Sequence, residues 1–491
     1  MLSFQEFSDL ARRGNLVPVT EKLVADTETP VSVLARLEKD ENVFLLESVE
    51  AGERFGRYSF IGLNPKGVFT VENGKAYYAP ADGKKRELPS PDGPLMALRA
   101  LLKGQTPALP ADMPAFIGGA VGAIGYEAVG EFERLPAPKP GLMGPTSSFM
   151  IADDLVIFDN FRHTLMLSAA VRTEEFDTLR AAYDEGVKRV LSMKARLARP
   201  APVLRAEALP VPELRSNCTE ASFKAMVEKA RAHIHEGDII QVVLSQKFSG
   251  ETDIPPLTLY RALRLINPSP YTFFMKMGEL ILISSSPETL CRTEAGGKAL
   301  LRPIAGTRPR GKTPEADLQL EKELLADPKE RAEHLMLVDL ARNDLGRVAA
   351  PGTVHVSDFM AIQRFSHVMH IVSTVEGDLG EGKDAFDLVR SAFPAGTLSG
   401  APKIRAMEII NALEPTPRGM YGGAAGYFGY DGAMDLAITI RTVVLHGRRM
   451  EIQSGAGIVH DSVPQTEYLE TKNKAAAMMK AVELAARGLA L

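Results

Sequence analysis

The chain has 491 residues, of which 45% are hydrophobic and 24% are charged, so it can bury a large core as two large lobes or as one unusually big domain. Its net charge of −5, without a long run of Lys and Arg, excludes a protein that binds nucleic acid through a basic surface. The two cysteines, Cys218 and Cys291, supply neither a disulfide framework nor the spacing of a zinc motif.

The N-terminal part mixes short β-like runs with turns. We expect strands at residues 42–47, 58–61 and 67–71, a charged loop at 48–57 and a helix at 94–103. The Gly-rich run IGGAVGAIGY (residues 117–126) lacks the GKS or GKT of a phosphate loop and indicates close backbone packing instead. The N-terminus is not basic and then apolar, and no apolar run reaches spanning length, so we expect a cytoplasmic location.

A Pro-rich, polar passage at residues 199–217 is the best candidate for a linker. We therefore expect an N-terminal lobe at residues 1–205, a linker at 206–217 and a second region at 218–491. Patterns beyond the linker predict a helix at residues 219–235 and strands at 239–248 and 279–284. Between those strands, the stiff turn Asn267-Pro268-Ser269-Pro270-Tyr271 leads into an aromatic strand at residues 272–275.

The stretch DPKERAEHLMLVDLARNDLGR (residues 327–347) predicts a helix that is rich in carboxylates. Asp327 can cap it, Glu330 stands where a capping-box acid would reach back, and Gly346 is a natural stop. Glu330 and Glu333 share a face with leucines that should be buried, where a carboxylate needs a partner. The residues alone leave two interpretations open: a cap with an Arg partner, or a metal or catalytic site.

A second acidic stretch, residues 461–477, repeats this pattern. Ser462 and Gln465 have capping-box spacing, and Glu467, Glu470 and Lys474 lie on one helical face. Two glutamate pairs on two helices could meet at one hard divalent cation such as Mg²⁺, although solvated helix faces show the same spacing.

Together, the segments resemble the chorismate-utilising enzymes over nearly the whole chain. The motifs that carry this resemblance occur in matching order: PIAGT, EHLMLVDLARNDLGR, HVMH, GTLSGAPK, AITIR, SGAGIV and ETKNKA. The resemblance implies an α+β fold in which antiparallel sheets pack together with helices on the outside, as two interlocked lobes. It also places a chorismate-binding catalytic region at residues 218–491.

The resemblance implies a role for each matching residue. Glu288 would be the general acid, His370 would serve the loss of pyruvate, and Thr397 would lie near the substrate. Mg²⁺ would be held by Glu333 and Glu470, with Glu330 and Glu467 close by. The substrate oxygens would be bound by Gly306, Thr307, Tyr421, Arg441, Gly455, Ala456, Gly457 and Lys474.

Two positions separate the members of the family. Isochorismate and salicylate synthases carry a lysine base where this chain has Gln241, and aminodeoxychorismate synthases carry a lysine nucleophile where it has Ala305. What remains is the branch that converts chorismate and ammonia to anthranilate and pyruvate, the first step of tryptophan biosynthesis. Aminodeoxychorismate synthesis is the alternative.

The resemblance also implies regulation and a partner. Leu46, Glu47 and Ser48, together with Asn267, Pro268, Ser269, Pro270 and Tyr271, match the family's tryptophan site, which makes the N-terminal lobe regulatory. Neither cysteine lies on a Gly-flanked elbow, so we expect a separate glutamine amidotransferase subunit, in an α2β2 assembly, to supply ammonia. An inactive tryptophan-binding regulator is an alternative of another class.

Overall fold

The computed structural model describes residues 1–48, 56–110, 113–114, 116–202, 204, 207–365 and 368–490. Most of the predicted loop at residues 48–57, and His367 of the HVMH motif, lie outside these ranges. Its α-helices are α1 (Phe4–Ala11), α2 (Pro30–Leu37), α3 (Met96–Leu102), α4 (Leu179–Leu197), α5 (Glu220–His235), α6 (Pro256–Ile266), α7 (Pro314–Ala326), α8 (Pro328–Gly346), α9 (Ala385–Ala392), α10 (Lys403–Leu413) and α11 (Pro464–Ala486).

The strands within the described residues are all short to medium in length. They are β1 (Leu16–Val24), β2 (Asn42–Glu47), β3 (Tyr58–Leu63), β4 (Gly67–Glu72), β5 (Lys75–Pro80), β6 (Arg86–Glu87), β7 (Gly119–Ile124), β8 (Ser147–Ala152), β9 (Asp154–Asp159), β10 (Thr164–Arg172), β11 (Arg215–Ser216), β12 (Gln241–Glu251), β13 (Tyr271–Met277), β14 (Leu280–Ser286), β15 (Thr289–Thr293), β16 (Lys298–Leu301), β17 (Ile304–Pro309), β18 (His355–Arg364), β19 (Val368–Asp378), β20 (Gly400–Ala401), β21 (Ala424–Gly429), β22 (Met434–Ile438), β23 (Thr442–His446) and β24 (Arg449–Ile458). Three 3-10 turns complete the list, at Tyr126–Glu131, Thr173–Glu175 and Gly396–Leu398.

These strands form two sheets of twelve strands each among the described residues. The first sheet has the order β1-β10-β9-β3-β2-β13-β14-β23-β24-β12-β11, and β20 also pairs with β12. The second has the order β17-β19-β16-β15-β22-β21-β7-β8-β4-β5-β6, and β18 also pairs with β19. The two sheets are therefore built from antiparallel ladders with helices outside them, and the predicted α+β fold is confirmed.

Both sheets contain strands from both sides of the predicted linker. The two parts join where β2 pairs with β13 in the first sheet and where β7 pairs with β21 in the second. Residues of the predicted linker also contact the body of the chain, because the Leu209 N–H donates to the Ala486 carbonyl. The two lobes are thus interlocked through shared sheets, and the division at residues 205 and 218 stays a prediction.

Apolar faces of the two sheets meet in a shared core. Its side chains include Phe44 and Phe273 from the first sheet and Val121, Met150 and Ala425 from the second, and all are buried. Among the described residues, two further large cores and one small cluster lie between the sheets and the outer helices. Both faces of each sheet bury apolar side chains, and this burial is the main contribution to the stability of the fold.

The Gly-rich run contributes to this packing as expected. Gly122 lies in β7, where an added Cβ would come within 1.9 Å of the Ser148 carbonyl oxygen on β8. Gly119 has a φ of +144° and would meet the Phe428 carbonyl at 2.0 Å. Close backbone approach is therefore the reason for these glycines, and the prediction is confirmed.

The predicted starts of the two acidic helices are confirmed at one position and wrong at two. Asp327 does cap α8, because its carboxylate accepts from the N–H groups of Lys329 and Glu330 at 3.0 and 3.3 Å. The predicted capping-box role of Glu330 is wrong, because its carboxylate accepts from Arg308 at 3.0 Å instead. The cap predicted at Ser462 is also wrong: α11 begins at Pro464, after Val463, and the Ser462 hydroxyl accepts from the Val459 N–H at 3.0 Å.

No helix in the described ranges is both long and apolar enough to cross a membrane. The cytoplasmic location stays a prediction.

Candidate active site

Glu288 lies buried in the short link between β14 and β15. Its carboxylate accepts a hydrogen bond of 2.9 Å from the Thr397 hydroxyl, on the 3-10 turn Gly396–Leu398. Its backbone carbonyl accepts from the Ile438 N–H at 2.9 Å, which fixes the link to the end of β22. Burial raises the pKa of Glu288 to about 7, against the Thr397 hydrogen bond and the charges of Lys474 and Arg441, which lower it. Glu288 can therefore hold a proton near neutral pH.

Arg441 stands between β22 and β23 in a left-handed conformation, with a φ of +49°. Its carbonyl accepts from the Ser285 N–H at 3.2 Å, and this bond holds the strained residue beside β14. Burial lowers the pKa of Arg441, and the charge of Glu288 opposes this shift. In the described part of the chain, its guanidinium has neither a hydrogen bond nor a carboxylate within 4.0 Å, so it is available to an anion.

Lys474 and the Gly455–Gly457 segment lie side by side. The Lys474 ammonium donates to the Gly455 carbonyl at 3.2 Å and pairs with Glu470 at 2.7 Å. The ladder between β24 and β23 ends at Ile452, whereas the ladder between β24 and β12 runs on to Ile458. The segment Gly455-Ala456-Gly457 therefore has one edge that no described strand covers, from which peptide groups can reach a ligand.

Side chains crowd this edge closely. A Cβ at Gly455 would lie 2.7 Å from the Tyr421 hydroxyl, and one at Gly457 would lie 2.6 Å from the Gln241 amide nitrogen. Glycine at both positions is what allows Tyr421 and Gln241 to approach β24. The structure thus brings Tyr421, Lys474 and the Gly455–Gly457 segment together, as the resemblance implies.

His370 on β19 is held by the strand beside it. Its Nδ1 lies 3.0 Å from the Gly306 carbonyl and 2.9 Å from the Thr307 hydroxyl. A carbonyl can only accept, so Nδ1 carries the proton and Nε2 keeps its lone pair in the neutral ring. Burial lowers the pKa of His370, and the charge of Arg441 adds to this shift, so the ring is neutral at pH 7 and can accept a proton.

Gly306 occupies a bulge in β17. Its φ is +75°, and the register against β19 shifts between Ala305 and Thr307. A Cβ there would lie 3.2 Å from the Glu330 carboxylate. The bulge turns the Gly306 carbonyl toward His370, and this position requires glycine.

The four predicted metal ligands lie on α8 and α11, and three of them contact a basic or amide side chain of the protein. Glu330 pairs with Arg308, Glu470 pairs with Lys474, and Glu333 accepts weakly from Gln241 at 3.4 Å. Burial raises the pKa of Glu333 and of Glu467, and in each case the neighbouring glutamate on the same helix adds to the shift. The charges of Lys329 and Lys474 act on both Glu333 and Glu467, so the two acidic faces look onto a common space.

This donor set fits a hard divalent cation. Carboxylate oxygens are the ligands that Mg²⁺ prefers. Burial, and to a lesser extent the neighbouring glutamate, raises the pKa of Glu333 and of Glu467, and a bound cation would favour the ionised form of both. The four carboxylates do not form a compact cluster, however. Within the described ranges, the one set of three ligand atoms within 4.8 Å of one another is at His233, Glu236 and Asp238. Asp238 of that set already pairs with Arg405 at 2.7 Å.

The segments predicted to bind tryptophan lie on adjacent strands. Leu46 pairs with Phe273 and Glu47 with Thr272 in the β2–β13 ladder, which places Ser48 beside the start of β13. The carboxylate of Glu47 accepts from Tyr260 and Arg264, and the Ser48 hydroxyl is buried with no partner in the described part of the chain. The turn preceding β13 holds Asn267, Pro268, Ser269 and Pro270; Asn267 donates to the Ser285 carbonyl at 3.2 Å.

Tyr271 connects this region to Glu288. Its hydroxyl lies 2.8 Å from that of Thr289, the residue after Glu288, and donates to Asp435 at 2.9 Å. Tyr271 also pairs with Ser286 across the β13–β14 ladder. Tyr271, in the predicted regulatory segments, therefore contacts the residue that follows the candidate acid Glu288 in the chain.

Sequence reasoning missed one group at the site, the buried pair of Arg418 and Glu414. Both side chains are almost fully buried and joined at 2.6 Å. Their spacing of four residues is an ordinary surface pattern, and they lie in a loop after α10 without periodicity. No signal in the sequence alone distinguishes them from a solvated pair.

Comparisons with known proteins agree with this geometry. The family described as chorismate binding enzyme matches residues 41–480. Anthranilate synthase component 1 of Acinetobacter calcoaceticus is 44% identical over the full length of both chains, and that of Streptomyces coelicolor is 46% identical over 97% of this chain and 91% of its own.

Solved structures give the same result. Anthranilate synthase component I from Streptococcus pneumoniae has a TM-score of 0.77 and 35% identity, over 94% of this chain and 99% of its own. The menaquinone-specific isochorismate synthase MenF from Escherichia coli, at 19% identity, shares the fold with a TM-score of 0.71 over 97% of this chain and 98% of its own. From the family match and these relatives, the chain belongs to the chorismate binding enzymes.

Proposed function

We propose that this chain is the chorismate-converting component of an anthranilate synthase. It would make anthranilate and pyruvate from chorismate and ammonia, in the first step of tryptophan biosynthesis. The observation that carries the proposal is Glu288, a buried carboxyl with a pKa of about 7 that accepts a hydrogen bond from Thr397. The charge of Arg441, which has no partner among the described residues, acts on it. The names of the full-length relatives support the choice of product.

Glu288 supplies the proton for the first bond change. Ammonia adds at C2 of the ring while the C4–O bond breaks, and the proton of Glu288 goes to the departing hydroxyl, which leaves as water. Because the pKa of Glu288 is about 7, the carboxyl holds this proton at pH values below neutrality. Thr397 orients the carboxylate through the 2.9 Å hydrogen bond.

His370 serves the second bond change. Its Nε2 has a free lone pair, because the Gly306 carbonyl holds the proton on Nδ1. Nε2 takes the ring proton at C2 as the C3–O bond breaks and the ring becomes aromatic. The side chain leaves as enolpyruvate, which takes up a proton at its methylene carbon and becomes pyruvate. Arg441, Tyr421, Thr307 and Lys474 bind the carboxylates and keep the ring between the acid and the base.

The acidic faces of α8 and α11 are suited to bind Mg²⁺. Glu333 and Glu470 would bind it directly, and Glu330 and Glu467 would lie close by. A bound Mg²⁺ would supply the positive charge that lets the ring carboxylate of chorismate lie near the four glutamates. The raised pKa values of Glu333 and Glu467 support a cation at this place.

Two side chains support ammonia as the nucleophile. Gln241 borders the site beside Glu333 and Gly457, and an amide cannot take a proton from water. Ala305 lies next to the Gly306 bulge and cannot form a covalent intermediate. Aminodeoxychorismate synthesis is the second candidate, because it uses the same substrate and the same nitrogen source.

Tryptophan would inhibit the enzyme by binding at Leu46, Glu47, Ser48 and the turn from Asn267 to Tyr271. The contact of Tyr271 with Thr289 supports a direct effect on Glu288. A separate glutaminase subunit would deliver ammonia, because burial raises the pKa of both Cys218 and Cys291 and neither is an activated thiolate. An α2β2 assembly is part of this proposal.

One assay tests the proposal. The purified chain is incubated with chorismate, MgCl₂ and an ammonium salt, and anthranilate fluorescence and pyruvate are followed. We expect both products in equal amounts, with glutamine unable to replace ammonium unless the second subunit is added. Formation of aminodeoxychorismate would favour the second candidate, and the absence of turnover would reject the enzyme.

A further inference from the structure

Arg418 contacts three segments of the chain, one of which is the turn that carries Thr397. Its guanidinium donates to the Leu398 carbonyl at 2.6 Å, to the Val243 carbonyl at 2.7 Å and to both oxygens of Glu414, at 2.9 and 2.6 Å. Leu398 ends the 3-10 turn whose middle residue is Thr397. Arg418 therefore ties the turn that contacts Glu288 to strand β12.

The same guanidinium also packs against the aromatic ring at the substrate edge. Its central carbon lies 5.6 Å from the centre of the Tyr421 ring and 4.6 Å from that of Tyr126. Tyr421 in turn fits against Gly455, where a Cβ would come within 2.7 Å of its hydroxyl. The position of Tyr421 thus depends on the position of the cation beneath it.

Glu414 holds the cation in place from the other side. Its Oε1 accepts from the N–H and the hydroxyl of Ser245 at 2.8 and 2.7 Å, and Ser245 stands opposite Gly455 in the β12–β24 ladder. Both charges are almost completely buried, so each needs the other as its counter-ion. The pair of Arg418 and Glu414 therefore links the Thr397 turn, the Tyr421 ring and the strand opposite Gly455.

We propose that Arg418, held by Glu414, is a positioning residue that sets the Thr397–Glu288 hydrogen bond and the place of Tyr421. It touches neither substrate nor reacting atoms, and it acts through the Leu398 carbonyl and the Tyr421 ring. The proposal rests on the proposed function, because it assumes that Glu288 transfers the proton.

The pH profile separates this role from plain support of the fold. The Thr397 hydrogen bond lowers the pKa of Glu288, so its loss raises that pKa and moves the alkaline limb of activity to higher pH. Arg441 and Lys474 are the cations that act on Glu288, and Arg302 and Asp344 line the small cavity beside it. None of these groups changes in the variants below.

The test compares Arg418→Lys, Thr397→Val and the double variant. Lysine keeps the charge but cannot reach both carbonyls and Glu414 at once, so we expect kcat to fall about a hundredfold. We expect the alkaline limb to move upward in R418K and in T397V, and the double variant to move no further than T397V, because both changes remove the same hydrogen bond. If R418K does not fold, Glu414→Asp takes its place, since it shifts the guanidinium and keeps both charges.

Arg172→Lys is the matched control. Arg172 also joins a buried carboxylate, Asp153, and packs 5.2 Å from the Tyr430 ring, but it contacts no predicted site residue. We expect R172K to lower the melting temperature and to leave the alkaline limb in place. An R418K enzyme with wild-type kcat and pH limb, or additive shifts in the double variant, would overturn the proposal. A wild-type chain that forms no anthranilate would instead refute the proposed function.

Discussion

Replacement of Glu288 by Gln tests both the stability and the chemistry that its burial implies. The folded state raises the pKa of this carboxyl from 4.5 to about 7, so the folded chain holds a proton that the unfolded chain has lost. Each pKa unit corresponds to about 1.4 kcal/mol, so ionising Glu288 in the folded state costs about 3 kcal/mol. The stability linked to the neutral form is complete below pH 4.5 and is lost as the pH rises through about 7.

Urea unfolding of the wild type and of E288Q between pH 4.5 and pH 8.5 measures this cost. We expect the unfolding free energy of E288Q to increase relative to that of the wild type as the pH rises. The difference should change by about 3 kcal/mol in total and stay constant above pH 8. In the kinetic assay, we expect E288Q to lose at least about a hundredfold in kcat, because a glutamine cannot donate the proton.

Glu131 provides the matched control. Burial raises its pKa to about 7 as well, and its carboxylate accepts from the Leu95 N–H at 2.7 Å, away from the predicted site residues. We expect E131Q to show a similar dependence of stability on pH and wild-type kinetics. A stability difference between E288Q and the wild type that does not depend on pH would refute the reasoning, and so would an E288Q enzyme with wild-type kcat.

Three further outcomes follow. Gly306→Ala should cost about 1–2 kcal/mol of stability and lower kcat, because it strains a φ of +75° and displaces the carbonyl that holds His370. The control Gly74→Ala, at a φ of +73° in open space, should lower stability and leave kcat unchanged, and equal kcat values in the two variants would contradict this. Glu333→Gln and Glu470→Gln should each abolish Mg²⁺-dependent turnover while the melting temperature stays unchanged, as measured by a MgCl₂ titration of activity and by thermal unfolding; a wild-type titration in both variants would show that neither residue binds the metal. Ser48→Phe should replace the buried hydroxyl with a large ring and abolish inhibition by tryptophan, as measured by turnover against tryptophan concentration; unchanged inhibition would reject this site.

Local signals in the sequence were enough to predict many of the helices and strands. Strand β2 has the predicted bounds Asn42–Glu47, because its apolar run and flanking turns contain the information. Helix α8 begins after its Asp327 cap and ends at Gly346, as predicted, since caps act within one helical turn. The motifs also predicted a set of site residues that includes Glu288, His370 and Arg441.

Partners distant in sequence were decided by the tertiary structure. Glu330 has the right spacing for a capping box, yet its carboxylate turns to Arg308 across the β17 bulge. The pKa of Glu288 depends on burial and on the Thr397 hydroxyl, 109 residues further along the chain. No local pattern contains these contacts, because they arise only when two sheets, each built from both parts of the chain, close on one another.

The sequence by itself therefore determined the family, the order of the elements and the types of side chain available for the chemistry. The tertiary structure decided which of them are deprived of water and which are joined. It gives a carboxyl at Glu288 that keeps its proton, an arginine at Arg441 with no partner among the described residues, and the buried pair of Arg418 and Glu414. Desolvation and long-range hydrogen bonds are properties of the packed chain, and spacing along the sequence does not encode them in any local form.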